Sequence, residues 1–243
     1  MERNIKLKIE YDGKDFYGWQ KQPDLRTVQG EIQERLEMIL GHKINLIGAG
    51  RTDVGVHALG QVANFKTTTK LNIDSIINGL NGLLPGDIVI KGIEEVDLNF
   101  NSRYDAKSRS YKYRIHLGRT AILRNFVWEV LYSLNLEDIF EATKKIEGKH
   151  DFSSFCVAES TKDNNVCQVF SAGWEKSGNE LIFKIEADRF LHTMVRSLVG
   201  TFVEVGRGYF SVSDFVDAME AKDRKKAGPT APACGLYLVE VEY

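Results

Sequence analysis

Residues 46–65 read LIGAGRTDVGVHALGQVANF, a glycine-rich turn between two apolar stretches. The stretch INLI, residues 44–47, predicts a buried strand before the turn, and QVANF, residues 61–65, predicts a strand after it. Three glycines in the turn allow backbone angles and close approaches that a Cβ atom would prevent. Because the turn carries Arg51 and Asp53 two positions apart, it predicts a functional site built around one cation and one carboxylate.

The turn shares features with two nucleotide-binding motifs but satisfies neither. A strand followed by Gly-Ala-Gly opens the dinucleotide-binding fingerprint, yet Asp53 stands where that fingerprint has its third glycine. Residues 54–65 also predict a strand instead of the helix that the fingerprint requires. A P-loop is excluded because the chain has no Gly-Lys-Ser or Gly-Lys-Thr. A nucleotide-dependent oxidoreductase is therefore disfavoured, and a binding test with nicotinamide cofactors would decide it.

Length, charge and composition indicate an ordinary globular protein. The 243 residues predict one large domain or two modest ones. A net charge of −2 and a pI near 6.2 argue against a protein that coats nucleic acid by charge alone, although a local basic face can still bind it. The N-terminal segment MERNIKLKIEYDG lacks the apolar region of a signal peptide, and no stretch reaches the length of a membrane span. We expect a cytoplasmic protein.

Cysteine and histidine spacing predicts neither a disulfide framework nor a metal site. The three cysteines show no C-x-x-C spacing, and the five histidines form no ligand pair at helical spacing. These residues are Cys156, Cys167, Cys234, His42, His57, His116, His150 and His192. We therefore expect reduced thiols and no structural metal.

Strand and helix patterns alternate through the first half of the chain. The segment IKLKIEYD predicts a strand, and VQGEIQERLEMIL, residues 28–40, predicts a helix with Thr27 as N-cap and Gly41 as stop. After the strand pair around the glycine loop, a second helix is predicted from Ile73 to a point before Pro85. The strand DIVIKGIEEV follows.

A similar order recurs in the second half. The strand SYKYRIHL is followed by a helix at LEDIFEATKKIEG, residues 136–148, and by the strand pair VFSAGWEK and LIFKIEA. A helix with an apolar stripe that begins at Leu191 comes next, then a shorter helix near DFVDAMEA and the closing strand LYLVEVEY.

The recurrence predicts two similar sheet-plus-helix halves in a mixed α/β (α+β) fold. We expect mainly antiparallel sheets and place the junction within residues 99–107, with an N-terminal subdomain at 1–103 and a C-terminal one at 104–243. A cleft between two such halves would be a natural substrate site.

Asp53 has a structural interpretation and a functional one. Aspartate beside glycine most often bonds its own backbone in a turn. Arg51 favours the functional interpretation, because a nearby guanidinium holds a carboxylate ionised and oriented, as a nucleophile or base requires.

Residues 103–124 concentrate positive charge and aromatic rings, with Asp105 as the single acid. The cations are Arg103, Lys107, Arg109, Lys112, Arg114, Arg119 and Arg124. A solvated strand face would explain them, but in a slightly acidic chain the concentration favours binding of single-stranded or splayed-out nucleotides. Tyr104, Tyr111 and Tyr113 interleave with them, and the last two share a strand face, so one can pack in the core while the other faces a ligand.

Two further features also have two interpretations. Arg196 lies off the apolar stripe of its predicted helix and is either an exposed helical arginine or a side chain that projects towards a site. The stretch YDGKDFYGWQKQ, residues 11–22, is dense in aromatic residues, which is more typical of packing than of binding.

Together these segments resemble the tRNA pseudouridine synthase A family. The resemblance is carried by YDG-x-x-F-x-G-W-Q-x-Q followed by TVQ, by GAGRTD-x-GVHA, by SR-x-Y-x-Y, by RF-x-x-x-MVR-x-x-VG and by APA-x-GLYL. These motifs run in one order from Tyr11 to Leu238, and GAGRTD-x-GVHA is the most specific of them.

The resemblance implies an isomerase with the pseudouridine synthase fold that converts uridines at positions 38, 39 and 40 of the tRNA anticodon arm to pseudouridine. It implies a homodimer that uses neither cofactor nor metal. Asp53 matches the catalytic aspartate, Arg51 and Arg196 match arginines associated with that carboxylate, Tyr111 matches the tyrosine that packs against the target base, and Leu236 matches an apolar residue that lines the pocket.

Two departures from the family pattern are visible. Val54 stands where alanine is common, and His192 with Thr193 lies inside the RF-x-x-x-MVR segment. Neither touches the proposed chemistry, although both can tune the shape of the pocket or the contacts with RNA.

The chemistry of the residues agrees with this reaction class. Moving the ribose from N1 to C5 of uracil transfers no electron and no phosphate, so one ionised carboxylate can serve as nucleophile at C6 or C1′ or as base. Unstacking the base costs about a few kcal/mol, which an aromatic such as Tyr111 can partly offset. An RNA-binding or chaperone module would need the same basic face but not an arginine-paired aspartate in a glycine loop.

Overall fold

The computed structural model describes residues 1–157 and 164–243, which contain ten strands and five α-helices. The strands are β1 (Arg3–Tyr11), β2 (Ile47–Gly48), β3 (His57–Thr67), β4 (Ile88–Val96), β5 (Ser108–Leu117), β6 (Trp128–Val130), β7 (Gly148–Asp151), β8 (Val166–Ser177), β9 (Glu180–Ala187) and β10 (Leu236–Glu242). The helices are α1 (Val28–Leu40), α2 (Ile73–Leu83), α3 (Leu136–Thr143), α4 (Met194–Gly206) and α5 (Val212–Ala221). Among the described residues, no helix is long and apolar enough to cross a membrane.

The chain divides into two compact units. The first unit comprises Met1–Lys107 and Tyr237–Tyr243, and the second comprises Ser108–Leu236. The closing strand therefore groups with the N-terminal part of the chain, and the predicted boundary after residue 103 stays a prediction.

The first unit is a sheet in the order β4-β1-β3-β10 with two helices. Strand β1 pairs antiparallel with β3 and β4, and β3 pairs in parallel with β10. Ile5, Leu7 and Ile9 are fully buried on one face of β1, as the two-residue period of a strand requires. This face forms the apolar core of the unit.

Helix α1 begins and ends where the sequence predicts. The Thr27 side chain accepts the N–H of Gly30 at 3.3 Å, and Gly41 closes the helix with a left-handed φ of +72°. Ile32 and Leu36 are fully buried on its apolar stripe. The second predicted helix is confirmed as α2, which ends before Pro85.

The predicted strand INLI is wrong for three of its four residues, because β2 comprises only Ile47 and Gly48. Leu46 is buried, but its carbonyl accepts the side-chain N–H of Gln29 at 2.8 Å. The Ile47 carbonyl likewise accepts the hydroxyl of Ser102 at 2.6 Å. Side chains rather than a neighbouring strand therefore satisfy much of this backbone.

The second unit is a mainly antiparallel sheet in the order β5-β9-β8-β7, with β6 parallel to β5, and three helices. Its core is aromatic: Phe202 stacks on Phe215 at 5.0 Å, and Trp174 packs against Phe183 at 4.9 Å. The indole N–H of Trp174 donates to the Thr143 hydroxyl at 2.8 Å. Both units thus pair helices with mainly antiparallel strands, which confirms the predicted mixed α/β class.

Two predicted helices of this unit differ at their ends. The helix predicted at 136–148 ends at Thr143, continues as a 3₁₀ turn over Lys144–Ile146, and gives way to β7 at Gly148. The apolar-stripe helix begins at Met194 rather than near Leu191, because the left-handed φ of +65° at Thr193 interrupts the helical backbone.

Candidate active site

The glycine loop lies in the first unit, between β2 and β3. Asp53 is half-buried and Arg51 is exposed. The Asp53 carbonyl accepts the N–H of Val56 at 3.2 Å, and Gly55 has a φ of +76°. The backbone of Asp53 therefore takes part in a tight turn, and the arginine and the carboxylate both stand on the same short loop.

Thr52, the residue before Asp53, is fixed through its side chain and its backbone. Its hydroxyl is hydrogen-bonded to the Tyr11 hydroxyl at 2.7 Å, and both side chains are buried. Its carbonyl accepts the backbone N–H of Trp19 at 3.1 Å. The peptide unit that leads into Asp53 is thus held by two residues from the aromatic-rich stretch.

The other flank of Arg51 is also anchored. The fully buried Gln61 donates its side-chain N–H to the Gly50 carbonyl at 3.0 Å. The N–H of Ala49 bonds to the Val62 carbonyl at 2.8 Å. Buried polar groups that satisfy backbone atoms in this way restrict the loop to one arrangement.

Close packing explains several glycines around the loop. A Cβ atom on Gly18, whose φ is +80°, would lie 2.7 Å from the Thr52 carbonyl oxygen. A Cβ atom on Gly48 would lie 2.5 Å from the buried Trp19 ring. A Cβ atom on Gly13 would overlap the Val56 carbonyl. The expectation that residues 11–22 pack rather than bind is confirmed for the buried Tyr11, Phe16 and Trp19.

His57 belongs to this region and was assigned no role by the sequence. Its buried ring stacks on Tyr237 at 4.8 Å, and its Nδ1 lies 3.0 Å from the Asp12 carboxylate and 3.1 Å from the Gly13 nitrogen. These contacts join the exit of the loop to the YDG turn. Its place near the end of GAGRTD-x-GVHA, the most specific motif, was the sequence signal for it.

The two tyrosines on one face of β5 differ in their surroundings. Tyr113 is fully buried and donates its hydroxyl to the Pro232 carbonyl at 2.7 Å, and burial raises its pKa well above the ordinary value. Tyr111 is half-buried, and its ring meets Phe190 edge to face at 4.9 Å. The expectation that one packs in the core is confirmed for Tyr113.

Arg196 lies in the first turn of α4 and is half-buried, so the interpretation as an exposed helical arginine is wrong. Its Nε donates to the Ala231 carbonyl at 2.8 Å, and its own carbonyl accepts the Ala231 N–H at 3.0 Å. This reciprocal pair orients the guanidinium. Leu236, also predicted for the site, is buried at the end of the second unit.

The basic segment is divided by its structural contacts. Arg114 donates to both carboxylate oxygens of Glu180, at 2.8 and 3.0 Å, and Arg109 donates to the Asp188 carbonyl at 2.9 Å. Partial burial, together with Arg114 and Lys184, lowers the pKa of Lys112. The exposed cations are Arg103, Lys107, Arg119 and Arg124. A count along the sequence could not show that β9 brings Glu180 against this segment.

Asp53 and Arg51 stand in the first unit, and Tyr111, Arg196 and Leu236 stand in the second. Comparison with known proteins identifies the chain that carries them. The family described as tRNA pseudouridine synthase matches residues 8–105 and 142–243. The tRNA pseudouridine synthase A of Caldicellulosiruptor saccharolyticus is 46% identical over 243 residues, covering 99% of this chain and 100% of that protein.

The tRNA pseudouridine synthase A of Acetivibrio thermocellus is 44% identical over 243 residues, again with 99% and 100% coverage. A solved Cbf5-Nop10-Gar1 complex aligns with 91% of this chain and 69% of the matched chain, at 14% identity and a TM-score of 0.37. With these sequence matches over its whole length, the chain belongs to the tRNA pseudouridine synthase family.

Proposed function

We propose that this enzyme isomerises uridine to pseudouridine at positions 38, 39 and 40 of the tRNA anticodon arm, with Asp53 as the catalytic carboxylate. Membership of the family supports the reaction class, an isomerisation on tRNA. One observation supports the assignment to Asp53: the backbone that carries it is fixed. This half-buried residue directly follows Thr52, whose hydroxyl and carbonyl are both hydrogen-bonded to buried neighbours.

The reaction needs little more than such a carboxylate. The N1–C1′ bond of the target nucleotide breaks, a C5–C1′ bond forms, and the proton on C5 is removed while N1 is protonated. Asp53 would act as nucleophile at C6 or C1′ or as base, and each route requires the ionised form. Arg51 places a positive charge two residues away on the same loop.

Three residues of the second unit have supporting roles in this proposal. Tyr111 would stack against the flipped-out base, and its edge contact with Phe190 holds the ring in one orientation. Arg196 would support the carboxylate with a guanidinium that the Ala231 carbonyl orients. Leu236 would contribute an apolar wall to the pocket.

The tRNA would be bound in part by the exposed cations of the basic segment, because phosphate contacts need accessible positive charge. Arg109 and Arg114 would instead stabilise the sheet through the bonds described above. We also propose a homodimer in the cytoplasm that works without a cofactor or a metal, and for this the resemblance to the family is the support.

The test is the Asp53→Asn variant on unmodified tRNA transcripts, with pseudouridine mapped by mass spectrometry. We expect turnover to fall at least about a thousandfold, because an amide cannot replace the carboxylate, while tRNA affinity stays close to that of the parent. Asp74→Asn, a substitution of an exposed aspartate in the first turn of α2, is the matched control and should retain full activity.

Two outcomes would contradict the proposal. Substantial pseudouridine formation by Asp53→Asn would remove the assigned role of this carboxylate. Binding of tRNA by the parent protein without pseudouridine at any of the three positions would favour the alternative of a non-catalytic RNA-binding module.

A further inference from the structure

We propose that Tyr11 is a positioning residue for the reaction, which orients Asp53 through the buried hydrogen bond between its hydroxyl and the Thr52 side chain. The inference rests on the proposed role of Asp53. It adds a requirement that lies outside the glycine loop itself, at the far end of the first strand of the chain.

The position of Tyr11 at the end of β1 places its side chain against the glycine loop. Tyr11 is the last residue of β1, and the register against β3 shifts between Ile9, which lies opposite Gln61, and Tyr11, which lies opposite Ala58. The extra residue lies on β3, so Tyr11 continues the buried alternation of Ile5, Leu7 and Ile9 along β1. From this position its hydroxyl lies 2.7 Å from Thr52 Oγ1.

The bond is buried and connects both flanks of Arg51. The Tyr11 and Thr52 side chains are nearly inaccessible to solvent. The Tyr11 hydroxyl also lies within hydrogen-bond reach of Gln61, the residue that donates to the Gly50 carbonyl. The Tyr11 hydroxyl therefore contacts Thr52, the residue after Arg51, directly, and it is linked to Gly50, the residue before Arg51, through Gln61. Burial raises the Tyr11 pKa, so the hydroxyl keeps its proton at physiological pH.

The contacts of Thr52 fix the orientation of the peptide group that precedes Asp53. With the Thr52 hydroxyl bonded to Tyr11 and its carbonyl bonded to Trp19, the side-chain rotamer and the plane of the Thr52–Asp53 peptide are both set. The Val56 N–H holds the Asp53 carbonyl on the other side. A displacement of about 1 Å at a reacting group can cost about a hundredfold in rate, so this bond should matter for turnover more than for tRNA affinity.

The experiment compares Tyr11→Phe, Thr52→Val and Thr52→Ser in single-turnover assays with saturating tRNA, with tRNA affinity measured separately. Tyr11→Phe and Thr52→Val each remove one hydroxyl without a large change in shape, and each should lower the rate roughly ten- to a hundredfold. The Kd for tRNA should stay within about twofold, since neither side chain is accessible to RNA. Thr52→Ser keeps the hydroxyl and should recover most of the rate.

The double variant Tyr11→Phe with Thr52→Val tests whether the two hydroxyls act through each other. If they do, the double variant should be no slower than the slower single variant, because the bond can be lost only once. Losses that multiply would mean that each hydroxyl acts separately, and they would overturn the proposal.

A matched control separates positioning from general stability. Thr143→Val also removes a buried hydroxyl, which accepts the Trp174 indole N–H in the second unit. Thermal unfolding of every variant, followed by circular dichroism, sets an assay temperature at which all are folded. There, Thr143→Val should retain the parent rate while Tyr11→Phe does not.

The failures of the two proposals are distinguishable. A parent-like rate for Tyr11→Phe, together with an inactive Asp53→Asn, overturns the positioning role and leaves the catalytic assignment intact. A loss in Thr143→Val equal to that in Tyr11→Phe also overturns the positioning role. An active Asp53→Asn overturns the catalytic assignment, and the positioning role falls with it.

Discussion

The glycine loop and strand β5 carry candidate site residues in different ways. Strand β5 holds Tyr111 by a regular antiparallel ladder with β9, from the pair Arg109–Ala187 to the pair His116–Glu180. The loop holds Asp53 by a few bonds to its neighbour Thr52 from residues far along the chain, namely Tyr11 and Trp19. A ladder spreads positional control over many equivalent bonds, whereas the loop concentrates it in a few. Substitutions around the loop should therefore have the larger effects.

The largest effect on stability is expected for Gly13→Ala beside the loop. The new Cβ atom would overlap the Val56 carbonyl, which is backbone and cannot rotate away. We expect the free energy of unfolding to fall by about 3 kcal/mol, measured by denaturant titration.

Gly173→Ala on β8 is the matched control for this substitution. A Cβ atom at Gly173 meets open space, so the change should stay within about 0.5 kcal/mol of the parent. Equal losses in the two variants would show that the close approach at Gly13 does not limit stability.

A smaller effect is expected for Tyr113→Phe on β5. The substitution removes the part-buried hydrogen bond that the Tyr113 hydroxyl donates to the Pro232 carbonyl, which should cost about 1 kcal/mol of unfolding free energy. Tyr111→Phe, on the same face of the strand, keeps the ring contact with Phe190 and is half-buried, so its cost should be within about 0.5 kcal/mol.

A measurement of activity tests the role of Tyr111 separately from its effect on stability. Tyr111→Phe should keep most of the pseudouridine formation, because stacking needs the ring and not the hydroxyl. A large loss in this variant, measured on unmodified tRNA, would give the Tyr111 hydroxyl a chemical role.

The smallest effect is expected from single cations of the basic segment. Arg119 is exposed, so Arg119→Gln should lower the slope of log K against log salt for tRNA binding by about 1. Arg114→Gln should leave the slope unchanged, since Glu180 already neutralises that guanidinium. Affinity measured between about 50 and 200 mM salt checks both. Affinity that does not change with salt would refute phosphate binding here.

Features set by near neighbours were predictable. The ends of α1 follow from Thr27 and Gly41, each of which acts on backbone within one turn of itself. The burial of alternate residues along β1 follows from the two-residue period of a strand. The end of α3 at Thr143 was not predictable, because the apolar spacing of LEDIFEATKKIEG continues through the 3₁₀ turn that follows.

The sequence by itself determined the glycine loop, its arginine and aspartate, and the family, because these depend on the order of residues along the chain. Only the tertiary structure decided what holds the loop. Tyr11 and Thr52 are 41 positions apart, and Arg114 and Glu180 are 66 apart. Such pairs form because strands bring distant residues together, and no local period encodes which residue will arrive. For the same reason, only four of the seven cations in the basic segment are exposed.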